Sequence, residues 1–272
     1  MQDEATIDED YYDLLARLGV PYFHWGGMRA TDRLASLCRI DAGKRVLVVG
    51  CGTGYSACHI AEKYRCRVVG IDISEGMVER ARERAEAQNI SDRVAFHVAD
   101  AHDLPFDDDG FDAVITEFVT IFLEKPRALR EYVRVLRPGG QMGVNELYKS
   151  EDVPRDAEEL ISEAEAGFED VVGLPIVLPT LRRWEGWFRD AGLENIRQEK
   201  VDYTYGVREY AKAVGGWAEM LKLILRSIHH MIFDKRMKKI FGQVGKMKDI
   251  FMKNKKTRQY VGAMLLVGQR PE

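Results

Sequence analysis

The sequence predicts an α/β fold with a doubly wound, mostly parallel sheet, on two observations. The stretch from Lys44 to Asp72 has the pattern of a strand, a glycine turn, a helix and a second strand. Apolar strands then alternate with amphipathic helices up to residue 147, which is typical of a parallel sheet with helices on both faces. Ligands of such sheets bind at the carboxyl ends of the strands, where function is therefore expected.

The first unit is a candidate nucleoside-binding half. Arg45 to Val49 is an apolar run without polar alternation, as expected for a strand that is covered on both faces. Gly50, Gly52 and Gly54 follow it, and glycine permits positive φ and the close approach of another group. The second strand ends in Asp72, whose carboxylate can accept hydrogen bonds from ribose hydroxyls. The spacing differs from the G-x-G-x-x-G of dinucleotide folds, and a glycine turn of some other α/β protein remains an alternative.

Acidic side chains mark the ends of the other strands as well. Further strands are predicted at Arg93–Val98, Phe111–Thr116 and Gln141–Leu147, with a helix over Pro126–Leu136. The carboxylates at or just beyond strand ends are those of Asp72, Asp100, Glu117 and Glu146. Because parallel strands end at the same edge of a sheet, we expect these side chains to gather there.

The segment before the first strand is a candidate lid. A short helix is predicted over Tyr11–Leu18, and Gly26-Gly27 forms a flexible joint beside aromatic side chains, which are Tyr22, Phe23, His24 and Trp25. Thr31 and Asp32 are expected at or near the start of the next helix. One interpretation is an apolar staple packed on the core, and the other is a moving cover over cofactor or substrate.

The second half predicts two more helices and two more strands. The helices are expected over Pro154–Gly167 and after Thr180, with an apolar loop over Val171–Pro179 between them. The strands are expected over Glu194–Tyr205 and Tyr260–Val267.

A basic segment lies between those strands. Leu221–Arg258 holds twelve Lys and Arg residues and two acids, so its formal charge is +10 and the rest of the chain carries −14. Apolar residues recur in it at near-helical spacing, and it is rich in methionine. Three interpretations stay open: a helical cap with a solvated basic face, a cover of the substrate pocket, or an amphipathic surface for anionic lipid.

Composition narrows the classes of function. The 272 residues are 46% hydrophobic and 31% charged with a formal charge of −4, as in soluble globular proteins, and predict no nucleic-acid partner. The four cysteines, Cys38, Cys51, Cys58 and Cys66, lack zinc spacing, so we expect reduced cytoplasmic thiols and no metal site. The acidic N-terminus predicts no signal peptide, and no apolar run is long enough to span a bilayer.

Several motifs together resemble a known family. VLVVGCGTG, and ADAHDLPFDDDGFDAVI followed by LRPGG, resemble the class I methyltransferases that use S-adenosylmethionine, in particular the UbiE and type-11 group. The resemblance runs from about Trp25 to Glu146, nearly half of the chain. It implies a Rossmann-like sheet of seven strands with the last strand antiparallel. It also implies three regions: a helical cap (1–40), a cofactor-binding core (41–206 and 257–272) and a basic, Met-rich helical insertion (207–256).

The resemblance implies S-adenosylmethionine as the cofactor, and a set of binding residues. The glycines would line the methionine part, Asp72 would bind the ribose, and Asp100 would accept from the adenine amino group. The full candidate cofactor set is Trp25, Gly50, Cys51, Gly52, Gly54, Asp72, Ile73, Asp100, Ala101 and Glu117. One departure stands out: the family places an acid two residues before the first glycine, where this chain has Val48. Backbone carbonyls, Glu117 or N-terminal residues are the candidates to replace it.

The sequence as a whole predicts a cytoplasmic methyltransferase that acts on a small molecule. Methyl transfer from a sulfonium is an in-line displacement, in which alignment can supply roughly 7–11 kcal/mol. A general base is needed only if the acceptor is protonated, and the candidates are His24, His229, His230, Glu117 and Glu146. Tyr11, Tyr12, Tyr22, Trp25, Tyr203 and Tyr205 are candidates to line an acceptor pocket. Two rival functions are a membrane-surface enzyme that methylates a lipid or quinone, with peripheral contact through residues 221–258, and a non-catalytic regulatory protein that binds the cofactor.

Overall fold

The computed structural model describes residues 24–201, 216–233 and 235–272, and the single positions 208, 211 and 214. The predicted helix over Tyr11–Leu18 and five of the pocket candidates (Tyr11, Tyr12, Tyr22, Tyr203 and Tyr205) lie outside the described residues, as do the side chains of His229 and His230.

Seven strands form one sheet, in the order β3-β2-β1-β4-β5-β7-β6. They are β1 (Arg45–Val49), β2 (Arg67–Asp72), β3 (Val94–Val98), β4 (Phe111–Glu117), β5 (Leu136–Lys149), β6 (Glu194–Val201) and β7 (Val261–Gln269). Only β7 runs antiparallel to its neighbours β5 and β6, so the predicted fold class is confirmed. The strand order reverses between β1 and β4, and the carboxyl ends of these two strands border the crevice where such sheets bind ligands.

Helices cover both faces of this sheet. They are α1 (Gly27–Leu37), α2 (Tyr55–Tyr64), α3 (Glu75–Ala87), α4 (Lys125–Val135), α5 (Arg155–Val172), α6 (Leu181–Asp190), α7 (Trp217–Phe233) and α8 (Lys235–Met252). Alternate residues of β1 enter different cores: Leu47 and Val49 pack with α4, α5 and α6, whereas Val46 and Val48 pack with α1, α2 and α3. This explains the continuous apolar run, because both faces of the strand are buried.

Three element boundaries differ from the prediction by more than two residues. Helix α1 begins at Gly27, so Thr31 lies inside it rather than near its start. Strand β5 begins at Leu136 instead of Gln141, because the C-terminal end of the chain extends the ladder: Gly139 N donates to Arg270 O. Helix α5 continues through the first residues of the predicted loop and ends where Gly173 takes a left-handed conformation, with φ 75°.

The basic segment forms α7 and α8, and α8 packs against the acidic helix α5. Three ion pairs join α8 and the residues just after it to α5: Lys239–Asp170, Lys246–Glu163 and Lys256–Asp156, at 2.7–3.1 Å. These pairs are exposed and therefore contribute little each, whereas Ile240, Met247 and Phe251 are buried and supply most of the contact free energy. Two of the basic side chains of α8, Lys239 and Lys246, thus face acids of the same chain.

Helix α7 leaves an apolar row open to solvent. Its exposed members are Trp217, Leu221, Ile224, Leu225 and Ile228, which are 41–61% exposed and recur at helical spacing. None of the described helices combines the length and apolarity needed to cross a membrane.

Candidate cofactor and active site

The glycine turn after β1 is shaped by two different constraints. Gly50 has φ 65°, and a Cβ at this position would lie 2.2 Å from Cγ2 of Val119, in the loop after β4. Gly52 has φ 51°, but a Cβ there would meet nothing within 4 Å. The first glycine is therefore required by packing inside the protein, whereas the second borders open space in which another molecule can approach the backbone.

Asp72 links the end of β2 to this turn. Its Oδ2 accepts a hydrogen bond from Gly52 N at 2.9 Å, and its Oδ1 accepts one from Ser74 N at 3.1 Å. Ser74 also caps α3 by accepting from Met77 N. The carboxylate is thus held between the glycine turn and the first turn of the following helix, where its oxygens can also reach a ligand.

The surface beside Asp72 is unusually apolar for an exposed strand end. Ile73 is 69% exposed although it follows a buried strand, and Asp100 lies at the end of the neighbouring strand β3. Asp100 accepts hydrogen bonds from the backbone N–H and the ring Nδ1 of His102, both at 2.8 Å, and these bonds lower the pKa of its carboxyl group. An exposed isoleucine next to one carboxylate, with a second carboxylate after the neighbouring strand, suits a flat heterocycle whose sugar and amino group donate hydrogen bonds.

A buried polar cluster lies at the ends of β4 and β5. Thr31 Oγ1 donates to both oxygens of Glu117, at 2.9 and 3.1 Å, and Asn145 Nδ2 lies 3.4 Å from Oε1 of the same carboxylate. The Glu117 side chain is only 5% exposed. Glu117 and Asn145 are directly paired in the parallel ladder, so their side chains lie on the same face of the sheet.

His24 joins this cluster from the N-terminal side. Its Nδ1 lies 3.4 Å from Glu117 Oε1, and its Nε2 lies 3.4 Å from Ser56 Oγ and 3.5 Å from Thr31 Oγ1. The imidazole is 4% exposed. Next to it Trp25 is buried, with its ring edge-on to Phe118 at 6.5 Å and its carbonyl accepting from Asn145 Nδ2. The predicted cap and the ends of the strands therefore share one network, and the lid interpretation stays a prediction.

Glu146 lies away from this cluster. It follows Asn145 and points to the opposite face, where it is fully buried and its Oε1 accepts from the N–H groups of Val119 and Thr120. Burial raises the pKa of its carboxyl group to about 8, against the opposing effect of these hydrogen bonds. Its observed contacts hold the loop that packs on Gly50, and its catalytic assignment stays a prediction.

The loop after β4 is strained where it leaves the strand. Phe118 has φ 58°, which is uncommon for a bulky side chain, and its N–H donates to Asn145 O at 2.9 Å. Backbone strain of this kind persists only where the surroundings impose it. Here the hydrogen bonds to Asn145 and Glu146 impose it, and they fix the position of Glu117.

The structure brings most of the predicted site residues to one edge of the sheet. The candidates at the carboxyl ends of β1 to β4 are Gly50, Cys51, Gly52, Gly54, Asp72, Ile73, Asp100, Ala101 and Glu117. The sequence reasoning missed Thr31, Ser56 and Asn145. Asn145 carried a usable signal, since it lies on a predicted strand beside Glu146, but alternation alone did not tell which of the two faces the site.

The observed geometry fits the implied cofactor. Gly52 leaves room beside the backbone, and Asp72 accepts a hydrogen bond from its N–H. The exposed side chain of Ile73 follows Asp72, and Asp100 follows the next strand. Within the described part of the chain, Oδ1 of Asn145 is buried without a hydrogen-bond partner, so the other end of the site also offers an acceptor to a ligand.

Comparisons with known proteins identify the sequence relatives of this chain. A family model described as a methyltransferase domain matches residues 46–140. An uncharacterized protein of Haemophilus influenzae is 30% identical over 192 residues, which is 70% of this chain and 74% of that protein. The 27-O-demethylrifamycin SV methyltransferase of Amycolatopsis mediterranei is 39% identical over 178 residues, which is 65% of this chain and 64% of that protein.

Among solved structures, that of the [4+2]-cyclase SpnF is similar over nearly the whole chain. The TM-score is 0.73 at 26% identity, and the match covers 96% of this chain and 93% of the cyclase. This likeness concerns the fold, whereas the family is shown by the methyltransferase model and the sequence relatives. The chain belongs to the class I methyltransferases, whose cofactor is S-adenosylmethionine.

Proposed function

We propose that this protein transfers a methyl group from S-adenosylmethionine to a small-molecule acceptor by in-line displacement. The observation that carries the proposal is the constellation at one sheet edge: an open glycine turn, Asp72, exposed Ile73 and Asp100. The Amycolatopsis relative is named for methylation of such an acceptor, 27-O-demethylrifamycin SV, which supports a small molecule here too.

Each residue of this edge has a part in the proposed reaction. The bound cofactor supplies a methyl group that its sulfonium already activates. Asp72 binds the ribose hydroxyls, Ile73 packs against the adenine, and Asp100 accepts from the adenine amino group. Residues 24–31 close the methionine end and exclude water from the nucleophile, which strengthens electrostatic interactions in the site.

An acceptor hydroxyl requires a base, and His24 is the proposed one. Its ring nitrogens lie among the hydroxyl groups of Thr31 and Ser56, and the Glu117 carboxylate orients the ring. A carboxylate beside an imidazole fixes its tautomer and its orientation. His24→Asn is therefore expected to lower kcat by roughly 10²- to 10⁴-fold, with a much smaller effect on cofactor affinity.

A labelled-methyl assay tests the proposal. The protein would be incubated with radiolabelled cofactor and fractions of small-molecule extract, beside an Asp72→Ala variant. Transfer to a low-molecular-weight fraction by the wild type, lost in the variant, is expected. Cofactor binding without transfer to any fraction would contradict the proposal and support the regulatory alternative.

The membrane-surface alternative is favoured by one observation. The exposed apolar row of α7 would suit the interface of a bilayer, beside the basic residues Lys222 and Arg226. Flotation with vesicles of anionic lipid, for wild type and a Leu221→Glu/Leu225→Glu variant, separates the two functions. If the wild type floats with the vesicles and the substitutions abolish this binding, a lipid or quinone acceptor is supported. If the wild type does not float, the proposed small-molecule acceptor is supported.

A further inference from the structure

The position that normally carries the motif I acid is part of the core in this chain. Val48 is 3% exposed and packs with residues of α1, α2 and α3, so β1 presents no carboxylate to the methionine end of the cofactor. The neighbouring strand does. Since Val49 pairs with Thr116, the residues that follow them, Gly50 just after β1 and Glu117 at the end of β4, leave the sheet side by side.

The carboxyl group of Glu117 is held in one position by its neighbours. Its donors are uncharged: the single hydroxyl proton of Thr31, which is shared between the two carboxylate oxygens, and the nearby Asn145 amide. A buried carboxylate requires compensation by a cation or by several donors, because burial penalises the charged form. His24 is the cation-capable group that lies near it among the described residues, at 3.4 Å, which is long for a strong charge-assisted bond.

A second acceptor stands beside the carboxylate. Oδ1 of Asn145 is buried and has no hydrogen-bond partner in the described part of the structure. A buried acceptor left unsatisfied costs free energy that a ligand donor would recover. Two adjacent acceptors, one of them a carboxylate oxygen, match a group with several donors and a positive charge, which is an ammonium.

We propose that Glu117 and Asn145 bind the α-ammonium group of the methionine part of the cofactor, and that Thr31 is a positioning residue for Glu117. The carboxylate that the family supplies from β1 has thus moved to β4, and α1 of the cap holds it. The inference rests on the proposed function only in placing the cofactor across the glycine turn. It adds that the cap takes part in cofactor binding, through Thr31, as well as in covering the site.

Calorimetry with two ligands tests this assignment without measuring methyl transfer. One ligand is S-adenosylhomocysteine, and the other is its deaminated analogue, which keeps the carboxylate and lacks the ammonium. The wild type should prefer the first. Glu117→Gln should lower the affinity for S-adenosylhomocysteine roughly 10- to 100-fold, as expected for a lost hydrogen bond to a charged group. It should leave the affinity for the analogue unchanged.

Two further variants sharpen the comparison. Thr31→Val keeps the shape of the side chain but removes the hydroxyl. It should lower the affinity for S-adenosylhomocysteine roughly 3- to 10-fold and leave the affinity for the analogue unchanged. Asp100, which is proposed to bind the adenine, provides the matched control. Asp100→Asn should lower the affinity for both ligands by the same factor. Melting temperatures would confirm that every variant folds.

The outcomes separate this inference from the proposed function. Equal weakening of both ligands by Glu117→Gln, or no weakening of either, would overturn the ammonium assignment while the cofactor site stands. If neither ligand bound the wild-type protein, the proposed function would fall together with the inference.

Discussion

Alanine at Gly50 tests how the glycine turn is built. Gly50 has φ 65°, and an added Cβ would lie 2.2 Å from Cγ2 of Val119, closer than non-bonded carbon atoms approach. Two costs therefore add. A left-handed conformation costs a non-glycine residue about 1–2 kcal/mol, and forcing an extra carbon into packed surroundings costs about 1–3 kcal/mol. Gly50→Ala should thus lower the free energy of unfolding by about 2–5 kcal/mol.

Two other glycines separate these costs. Gly43 has φ 86° and Gly52 has φ 51°, and a Cβ at either position would meet nothing within 4 Å. Gly43→Ala and Gly52→Ala should therefore show only the conformational cost of about 1–2 kcal/mol. Gly52→Ala should in addition lower the affinity for S-adenosylhomocysteine, because the new methyl group enters the space assigned to the cofactor. Gly43→Ala should leave that affinity unchanged.

Thermal and denaturant unfolding provide the assay. For a chain of this size, a loss of about 2–5 kcal/mol corresponds to a melting temperature lower by roughly 5–15 °C. Val119→Ala in the Gly50→Ala background should restore the steric part of the loss, since it removes both clashing methyl groups. The reasoning is refuted if Gly50→Ala is no more destabilising than Gly43→Ala, or if the double variant shows no recovery.

Two further predictions concern the support of the site and the attachment of the insertion. The pKa of the Glu146 carboxyl group rises from 4.5 to about 8 on folding, so between these pH values the native state binds more protons than the unfolded state. Through this group, the free energy of unfolding of the wild type should therefore fall as pH rises from 4.5 to 8, by at most about 1.4 kcal/mol per pH unit. Glu146→Gln should lack this dependence, and parallel melting profiles of the two proteins across that range would contradict the assignment. On α8, Met247→Ala should lower the free energy of unfolding by about 2–5 kcal/mol because its side chain is buried. Lys246→Ala should lower it by less than about 1 kcal/mol because its pair with Glu163 is exposed. If denaturant unfolding showed the reverse order, charge and not apolar contact would hold this helix.

The sheet was predictable because its signals are local and redundant. The apolar run of β1 and the acid at the end of β2 appear in the structure at the predicted residues. The predicted element boundaries were wrong where contacts with distant parts of the chain determine the local structure. Residues 136–140 look like a loop in isolation, because Pro138, Gly139 and Gly140 punctuate them, yet they extend β5 since residues near 270 pair with them.

The site was predictable only in part, for a geometric reason. Carboxylates at strand ends are visible in sequence, and Asp72, Asp100 and Glu117 lie where they were expected. Their partners are not visible, because Thr31 reaches Glu117 across 86 residues and resembled a helix cap. The sequence analysis selected Glu146 at the end of this strand and missed its neighbour Asn145, and only the ladder register shows that Asn145 stands beside Glu117.

The central claim is that S-adenosylmethionine lies across the glycine turn with its ribose bound by Asp72, and calorimetry with S-adenosylhomocysteine tests it most directly. Asp72→Ala should weaken binding at least about tenfold, since two ribose hydroxyls lose a charged acceptor. Asp92→Ala, which removes an exposed acid before β3, should not alter it. Unchanged affinity in Asp72→Ala, or tighter binding of NAD than of S-adenosylhomocysteine by the wild type, would contradict the account.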